Sequence, residues 1–236
     1  MSSPPGEPGP VRPRRQSAGR DAGAGAAAAA GAGAGADAGA GAGAGAGVPP
    51  TRKAEIAEAA LTLFADRGYH GTGMEDIARL VGMRASSLYN HFYSKQELLA
   101  SIMVTTMRQL LVGFGQATAT GSPTEQLRAA MEAHVRYHGT HRREVRVGNR
   151  EIASLDEPSQ GIVRKLRRDY ARGWQSLIET GVRSGDFETP SPQLSAYALL
   201  EMGIGVSQWY SEDGPLSLDE IARHYADMAE HQLSVR

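Results

Sequence analysis

An all-α chain of about nine helices is predicted by three features of the sequence. Apolar residues recur at three- and four-residue spacing from Thr51 onward. Four capping boxes mark helix starts: Thr72 with Glu75, Ser94 with Glu97, Ser122 with Glu125, and Ser217 with Glu220. In each, a hydroxyl accepts from a backbone N–H while the carboxylate three residues on reaches back. No stretch shows the two-residue alternation of a half-buried strand.

The elements follow in order. Residues 1–50 form an arm: Met1 to Arg20 is rich in Pro, Ser and Arg, and Asp21 to Gly47 is almost pure Gly-Ala repeat. Such a segment buries too little apolar area to offset its backbone entropy, so disorder is expected. Two readings of it stand: a repeat expanded without function, or a basic arm (Arg12, Arg14, Arg15, Arg20) that adds phosphate contacts. The first helix is expected from about Thr51 to Arg67, with Ile56, Ala60, Leu63 and Phe64 on one face and Gly68 as its stop. Two short helices hinged at Gly82 follow, sharing a small core of Ile77, Ala78, Val81, Met83, Leu88 and Phe92. Their outward residues are Arg84, Ala85, Ser86, Ser87, Tyr89, Asn90 and His91, which are small or able to hydrogen-bond. That is the make-up of a helix-turn-helix whose second helix enters the major groove.

A long fourth helix is expected from Lys95 to Gly115, and others start near Pro123, His141, Gln160, Pro192 and Leu218. Pro123 and Pro192 each follow a serine, at the first helical position. Hydrophobic staples pair Tyr93 with Leu98 and Leu216 with Ile221. The division is an arm (1–50), a DNA-binding domain (51–97) and a ligand-binding and dimerisation bundle (98–236).

Composition narrows the function. The 236 residues carry a formal net charge of −1, so DNA binding would come from a local surface. There are no cysteines, which excludes disulfides, thiolate catalysis and Cys-type zinc sites and fits a reducing cytoplasm. The Gly-Ala tract is too weakly apolar, and too interrupted by Asp21 and Asp37, to span a membrane. No Ser-His-Asp order, HExxH or phosphate-binding loop appears, so no enzyme is expected and no cofactor.

From about Lys53 to Leu99 the chain resembles the TetR-type bacterial transcriptional regulators. The resemblance lies in LFADRGYHGTGMEDIA followed by LVGMRASSLYNHFYSKQELL. It implies an all-α homodimer that represses transcription until a small molecule enters the C-terminal domain. It also implies DNA contacts at Thr72, Arg84, Ser86, Ser87, Tyr89, Asn90, His91 and Lys95. The chemistry agrees: Ser87, Tyr89 and Asn90 donate to phosphates or base edges, and Arg84 suits guanine. Gly73 and Arg84 depart from the family's usual hydroxyl residues, which bears on the operator. A looser likeness in TGVRSGDF and GVSQWYSEDGPLSLDEIARHYADM is similar to a branch that represses lipid and sterol catabolism and responds to acyl-coenzyme A thioesters.

An effector pocket is expected among Met103, Met107, Leu110, Phe114, Met131, Val135, Trp174, Leu177 and Tyr197, for which ordinary core packing is the alternative. The basic run Arg164, Lys165, Arg167, Arg168 and Arg172 is a candidate for coenzyme A phosphates, with Arg168 and Arg172 as the site residues, against a helix face that is merely solvated or paired with acids. His134 and His138 sit four apart with His141 beyond, a spacing open to a metal but read here as polar pocket lining. The eighth and ninth helices are expected to pair about a twofold axis through Ala196, Gly203, Gly205, Ile221, Tyr225 and Met228, with intrachain packing as the alternative. The partners expected are therefore duplex DNA at a palindromic operator, a second copy of the chain, and an apolar or acyl-coenzyme A effector. The competing reading is an architectural DNA binder with no effector.

Overall fold

A computed structural model describes residues 51–234; the expectations for residues 1–50 lie outside the described residues. Nine α-helices occur among them: α1 (Arg52–Arg67), α2 (Met74–Leu80), α3 (Ala85–Leu88), α4 (Lys95–Ala117), α5 (Pro123–Thr140), α6 (Arg142–Arg150), α7 (Glu157–Ser184), α8 (Pro192–Trp209) and α9 (Leu218–Leu233). A 3₁₀ turn at Ile152–Ser154 links α6 to α7. No β-strand occurs among the described residues, only an isolated bridge between Phe187 and Ser234.

The helix boundaries follow local chemistry. Thr51 caps α1 by accepting from the Ala54 N–H at 3.3 Å, and Gly68 ends it with φ 76°. Ser122 with Glu125 and Ser217 with Glu220 form both halves of their boxes. At Ser94 the register slips by one: Ser94 accepts from the Glu97 N–H, but the Glu97 carboxylate reaches the Tyr93 N–H at 2.7 Å. The Thr72–Glu75 box does not form. Here α2 starts one residue later, with the Asp76 carboxylate accepting from the Gly73 N–H at 3.0 Å. The start of α7 is three residues earlier than expected, because Asp156 accepts from the Ser159 N–H at 2.9 Å and Pro158 fits the first turn.

Two apolar clusters share α4. Leu98, Leu99, Ile102 and Met103 pack into the core of α1–α3, and Met107 and Leu110 into the core of α5 and α7–α9. By length and composition α4 would suit a membrane span, yet its apolarity is explained by serving two cores along one rod. Val147, Leu155 and Val163, from beyond residue 98, also pack into the α1–α3 core. The head is therefore anchored by α4 and by the α6–α7 corner together.

Candidate DNA-reading head and effector cavity

The turn between α2 and α3 closes at Gly82, with φ 67°, a left-handed conformation that favours glycine. It throws Leu88, fully buried, inward against α1 and α4. Arg84, Ser86, Tyr89 and Asn90 are thereby exposed, with Ala85, Ser87 and His91 half-buried beside them. Among the described residues, none of these side chains hydrogen-bonds elsewhere in the protein; their donors and acceptors are free. A free polar ridge on a small apolar anchor is what base and phosphate contact requires.

Two expected contacts are placed differently. Thr72 is 2% exposed, and its hydroxyl donates to the carbonyls of Leu63 (3.2 Å) and Gly68 (3.0 Å). It ties the chain after α1 back onto the end of that helix, where a short side chain in the first turn beyond reaches the carbonyls of its last turns. Lys95 donates to the carbonyls of Tyr69 (2.8 Å) and Thr72 (2.7 Å), with its ammonium 4.2 Å from the Tyr69 ring centre. It fastens the head to α4 and has one N–H left over.

A cavity of about 400 Å³ opens in the bundle, within the range of small-molecule sites. Met103, Met107, Leu110, His134, His138 and Tyr197 line it as expected from the sequence, joined by Thr106, Val145, Val163, Tyr170, Ala171, Leu200 and Ile204. Its remaining polar wall is Glu144, Gly148, Asn149, Arg167 and Glu201. Much of that wall belongs to α6, which looks too polar and too short in sequence to suggest a pocket. Phe114, Met131, Val135, Trp174 and Leu177 are not lining residues. They form the packed layer behind it, with the Phe114 and Trp174 rings 5.5 Å apart.

Arg168 and Arg172 are also displaced from the site. Arg168 is exposed, and Arg172 bonds Asp169 at 2.6 Å, as does Lys165. Arg167 is the arginine that enters the cavity. Its Nη2 donates to the Gly148 carbonyl (2.9 Å) and to Asn149 Oδ1 (3.3 Å). Burial lowers its pKa from the ordinary value, and the Glu201 carboxylate opposes that shift. A shallower groove bordered by Arg146, Asn149, Arg150, Ser207 and Gln208 shares Asn149 with the cavity.

The histidines form a contacting row, with the His134 and His138 rings 4.2 Å apart. His134 Nε2 faces the Leu200 carbonyl at 3.0 Å, which can only accept, so that nitrogen carries the proton. Burial holds His134 well below its ordinary pKa, with His138 adding to the shift. The neutral ring therefore accepts at Nδ1 from the Tyr170 hydroxyl, 2.9 Å away. His138 Nδ1 donates to the His134 carbonyl at 2.8 Å, leaving Nε2 as a free acceptor on the cavity side. Burial pushes His138 down to about 4, against that bond and with His141 lowering it further. His141 bonds the Tyr137 carbonyl and stacks on its ring. Among the described residues no group of three or more His, Asp or Glu could hold a metal ion.

The expected dimer face divides in two. Ala196, Gly203 and Ile221 are buried inside the chain, so they have no surface to offer a partner. A Cβ on Gly203 would collide with the His134 ring; the small residue serves close packing of α8 on α5. Gly205 and Tyr225 are half-buried and Met228 is exposed, alongside the exposed Leu194, Tyr197 and Trp209.

The chain matches the family described as "Bacterial regulatory proteins, tetR family" over residues 56–102. It matches "Tetracyclin repressor-like, C-terminal domain" over residues 120–233. It is 41% identical over 184 residues to the HTH-type transcriptional activator FasR of Mycolicibacterium smegmatis, covering 71% of this chain and 76% of that one. It is 28% identical over 180 residues to the HTH-type transcriptional repressor KstR2 of the same organism, covering 75% and 88%. The TetR-family regulator PfmR of Thermus thermophilus superposes with a TM-score of 0.70 at 31% identity, covering 75% and 97%. AibR, solved in complex with isovaleryl coenzyme A and operator DNA, superposes at 0.69 with 27% identity and the same coverage.

Proposed function

The chain belongs to the TetR family of bacterial regulatory proteins, and on that footing we propose that it is a homodimeric repressor released from a palindromic operator by an acyl thioester. It is a DNA-binding transcription regulator with a ligand-binding C-terminal domain, and not an enzyme. The carrying observation is that one helix, α4, shares the apolar core that anchors Leu88 beneath the polar ridge, through Leu98, Leu99 and Ile102, and lines the cavity through Met103, Thr106, Met107 and Leu110. Occupancy of the cavity and the attitude of the ridge are then mechanically linked. A ligand that prefers one attitude shifts the population by its differential affinity, typically about 1–3 kcal/mol.

The acyl-thioester reading rests on the largely apolar cavity and on the isovaleryl coenzyme A bound by AibR. The acyl group suits the Met-lined cavity, and Arg146 in the adjoining groove suits the phosphates better than Arg168 or Arg172. Dimerisation through the outer faces of α8 and α9, at Leu194, Tyr197, Gly205, Trp209, Tyr225 and Met228, would present two ridges one helical turn of duplex apart. Duplex DNA as partner places its action in the cytoplasm. A gel-shift titration of a duplex selected by the protein, with decanoyl-coenzyme A added, should show release; unchanged affinity across a panel of acyl thioesters would overturn the effector assignment.

Activation is the second reading, favoured by the 41% identity to a protein described as an activator. In vitro transcription from the promoter carrying the selected site separates the two by the sign of the change.

A further inference from the structure

We propose that Arg167 transmits cavity occupancy to the DNA-reading head through two helix ends capped in series, an inference that rests on the ligand-responsive reading above. The α6 helix ends at Arg150, so the Gly148 carbonyl lies in its last turn, where no helical N–H follows to satisfy it. Arg167, reaching across from α7, supplies that donor at 2.9 Å. Two residues further on, Arg150 adds a second donor at the end of another helix, where the Phe64 carbonyl already accepts from the Gly68 N–H at 3.0 Å. Arg150 Nη2 donates to the Phe64 carbonyl at 2.7 Å and the Ala65 carbonyl at 3.3 Å, in the last turn of α1.

Glu151 locks the second cap in place. This carboxylate, only 7% exposed, accepts from Arg150 Nε at 3.1 Å, from the Tyr69 N–H at 3.3 Å and from the Ser154 hydroxyl at 3.0 Å. Tyr69 in turn holds Lys95 through its carbonyl and its ring, and Lys95 is the first residue of α4, directly after the segment that carries Tyr89 and Asn90. The path from cavity to head is thus a run of hydrogen bonds through Gly148, Arg150, Glu151, Tyr69 and Lys95, in which the Gly148 carbonyl takes its donor from Arg167.

Arg167 is poised to break the run. Only its Nη2 is used by the protein; Nε and Nη1 donate to no protein group among the described residues, although the side chain lines the cavity. An occupant carrying an acceptor oxygen, such as the carbonyl of an acyl group, competes for the guanidinium and draws it off Gly148. The last turn of α6 then frays, Arg150 and Glu151 lose their fixed positions, and the end of α1 loses its cap. The head must afterwards be ordered at the expense of DNA affinity. Arg167 is in this sense a positioning residue for DNA binding, not a DNA contact.

The test uses the full chain without ligand. A duplex is first selected from a random pool by the wild-type protein; if none is enriched, it is the regulator reading that fails. Given an enriched duplex, Arg167→Met should bind it about tenfold more weakly, within the usual span of such couplings. Arg150→Met should show a similar loss, and the double variant little more than either alone. Arg167→Lys, which keeps a donor for the Gly148 carbonyl, should recover most of the affinity. Hydrogen exchange should quicken at residues 64–72 in Arg167→Met, a segment Arg167 does not touch, while α8 and α9 stay protected. Unchanged duplex affinity in Arg167→Met, losses that multiply in the double variant, or unaltered exchange at residues 64–72 would each overturn the proposal.

Discussion

Replacing Thr72 by Val separates two accounts of one residue. The resemblance places Thr72 at a DNA phosphate, whereas its hydroxyl is turned inward onto the carbonyls of Leu63 and Gly68. Valine keeps the shape and removes only the donor. Two buried acceptors at the end of α1 then share one missing hydrogen, which costs about 1–2 kcal/mol. For a folded part of this size that lowers the melting temperature by roughly 2–8 °C. The assay is thermal unfolding without DNA, paired with duplex affinity measured across a salt series. A lost phosphate contact would reduce the salt slope by about 1 per contact. The inward-turned hydroxyl predicts a lower melting temperature and an unchanged slope. An unchanged melting temperature with a shallower slope would refute it and restore Thr72 to the DNA interface.

Asn90→Ala, at an exposed side chain with no protein partner, should leave stability within about 0.5 kcal/mol while weakening the selected duplex by about 1–3 kcal/mol, read by anisotropy and melting together. Gly203→Ala drives a Cβ into the His134 ring and should destabilise by about 1–3 kcal/mol in urea titration, with the dimer mass in native mass spectrometry unchanged. Acid should destabilise the protein through His138, which faces His134, His141, Tyr137, Tyr170 and Glu144. Its folded pKa of about 4 lies below the unfolded value near 6.5, so the unfolded chain binds the proton first. Its contribution is complete above the unfolded value and shrinks as pH falls from there toward 4, by about 2 kcal/mol between pH 6.5 and 5. Unfolding followed across that range should show the decline, and His138→Asn should flatten it by about that amount.

The recognition ridge was readable from sequence because every part of it lies within some twenty-five contiguous residues. Gly82 sets the turn, Leu88 supplies the anchor, and the exposed Tyr89 and Asn90 follow from where Leu88 must point. The caps at Ser122 and Ser217 are likewise settled by neighbours three residues away. Thr72 is not settled by sequence because its choice is between two equally local partners, a following N–H and the preceding carbonyls. Only the packing of α1 against α2 decides between them.

The cavity was half readable: its α4 and α5 side was legible in sequence, and its α6 wall and the residues of α7 and α8 other than Tyr197 were not. Apolar spacing identified Met103, Met107 and Leu110, but the same spacing marked Trp174 and Leu177, which lie in the layer behind. Neighbouring positions on a helix point about 100° apart, so Arg167 enters the cavity while Arg168 faces solvent. Ala196, Gly203 and Ile221 turned inward by the same rotation, leaving Tyr225 half-buried and Met228 outside. Helix identity, most helix ends and the exposed polar ridge from Arg84 to His91 are thus properties of the chain itself, because short-range hydrogen bonds and apolar periodicity specify them. The cavity's α6 wall, the serial caps of Arg167 and Arg150, and the face α8 presents were decided by the tertiary structure. They depend on which helix lies opposite which, and bonds such as Arg150 to Phe64 join residues that no local pattern brings together.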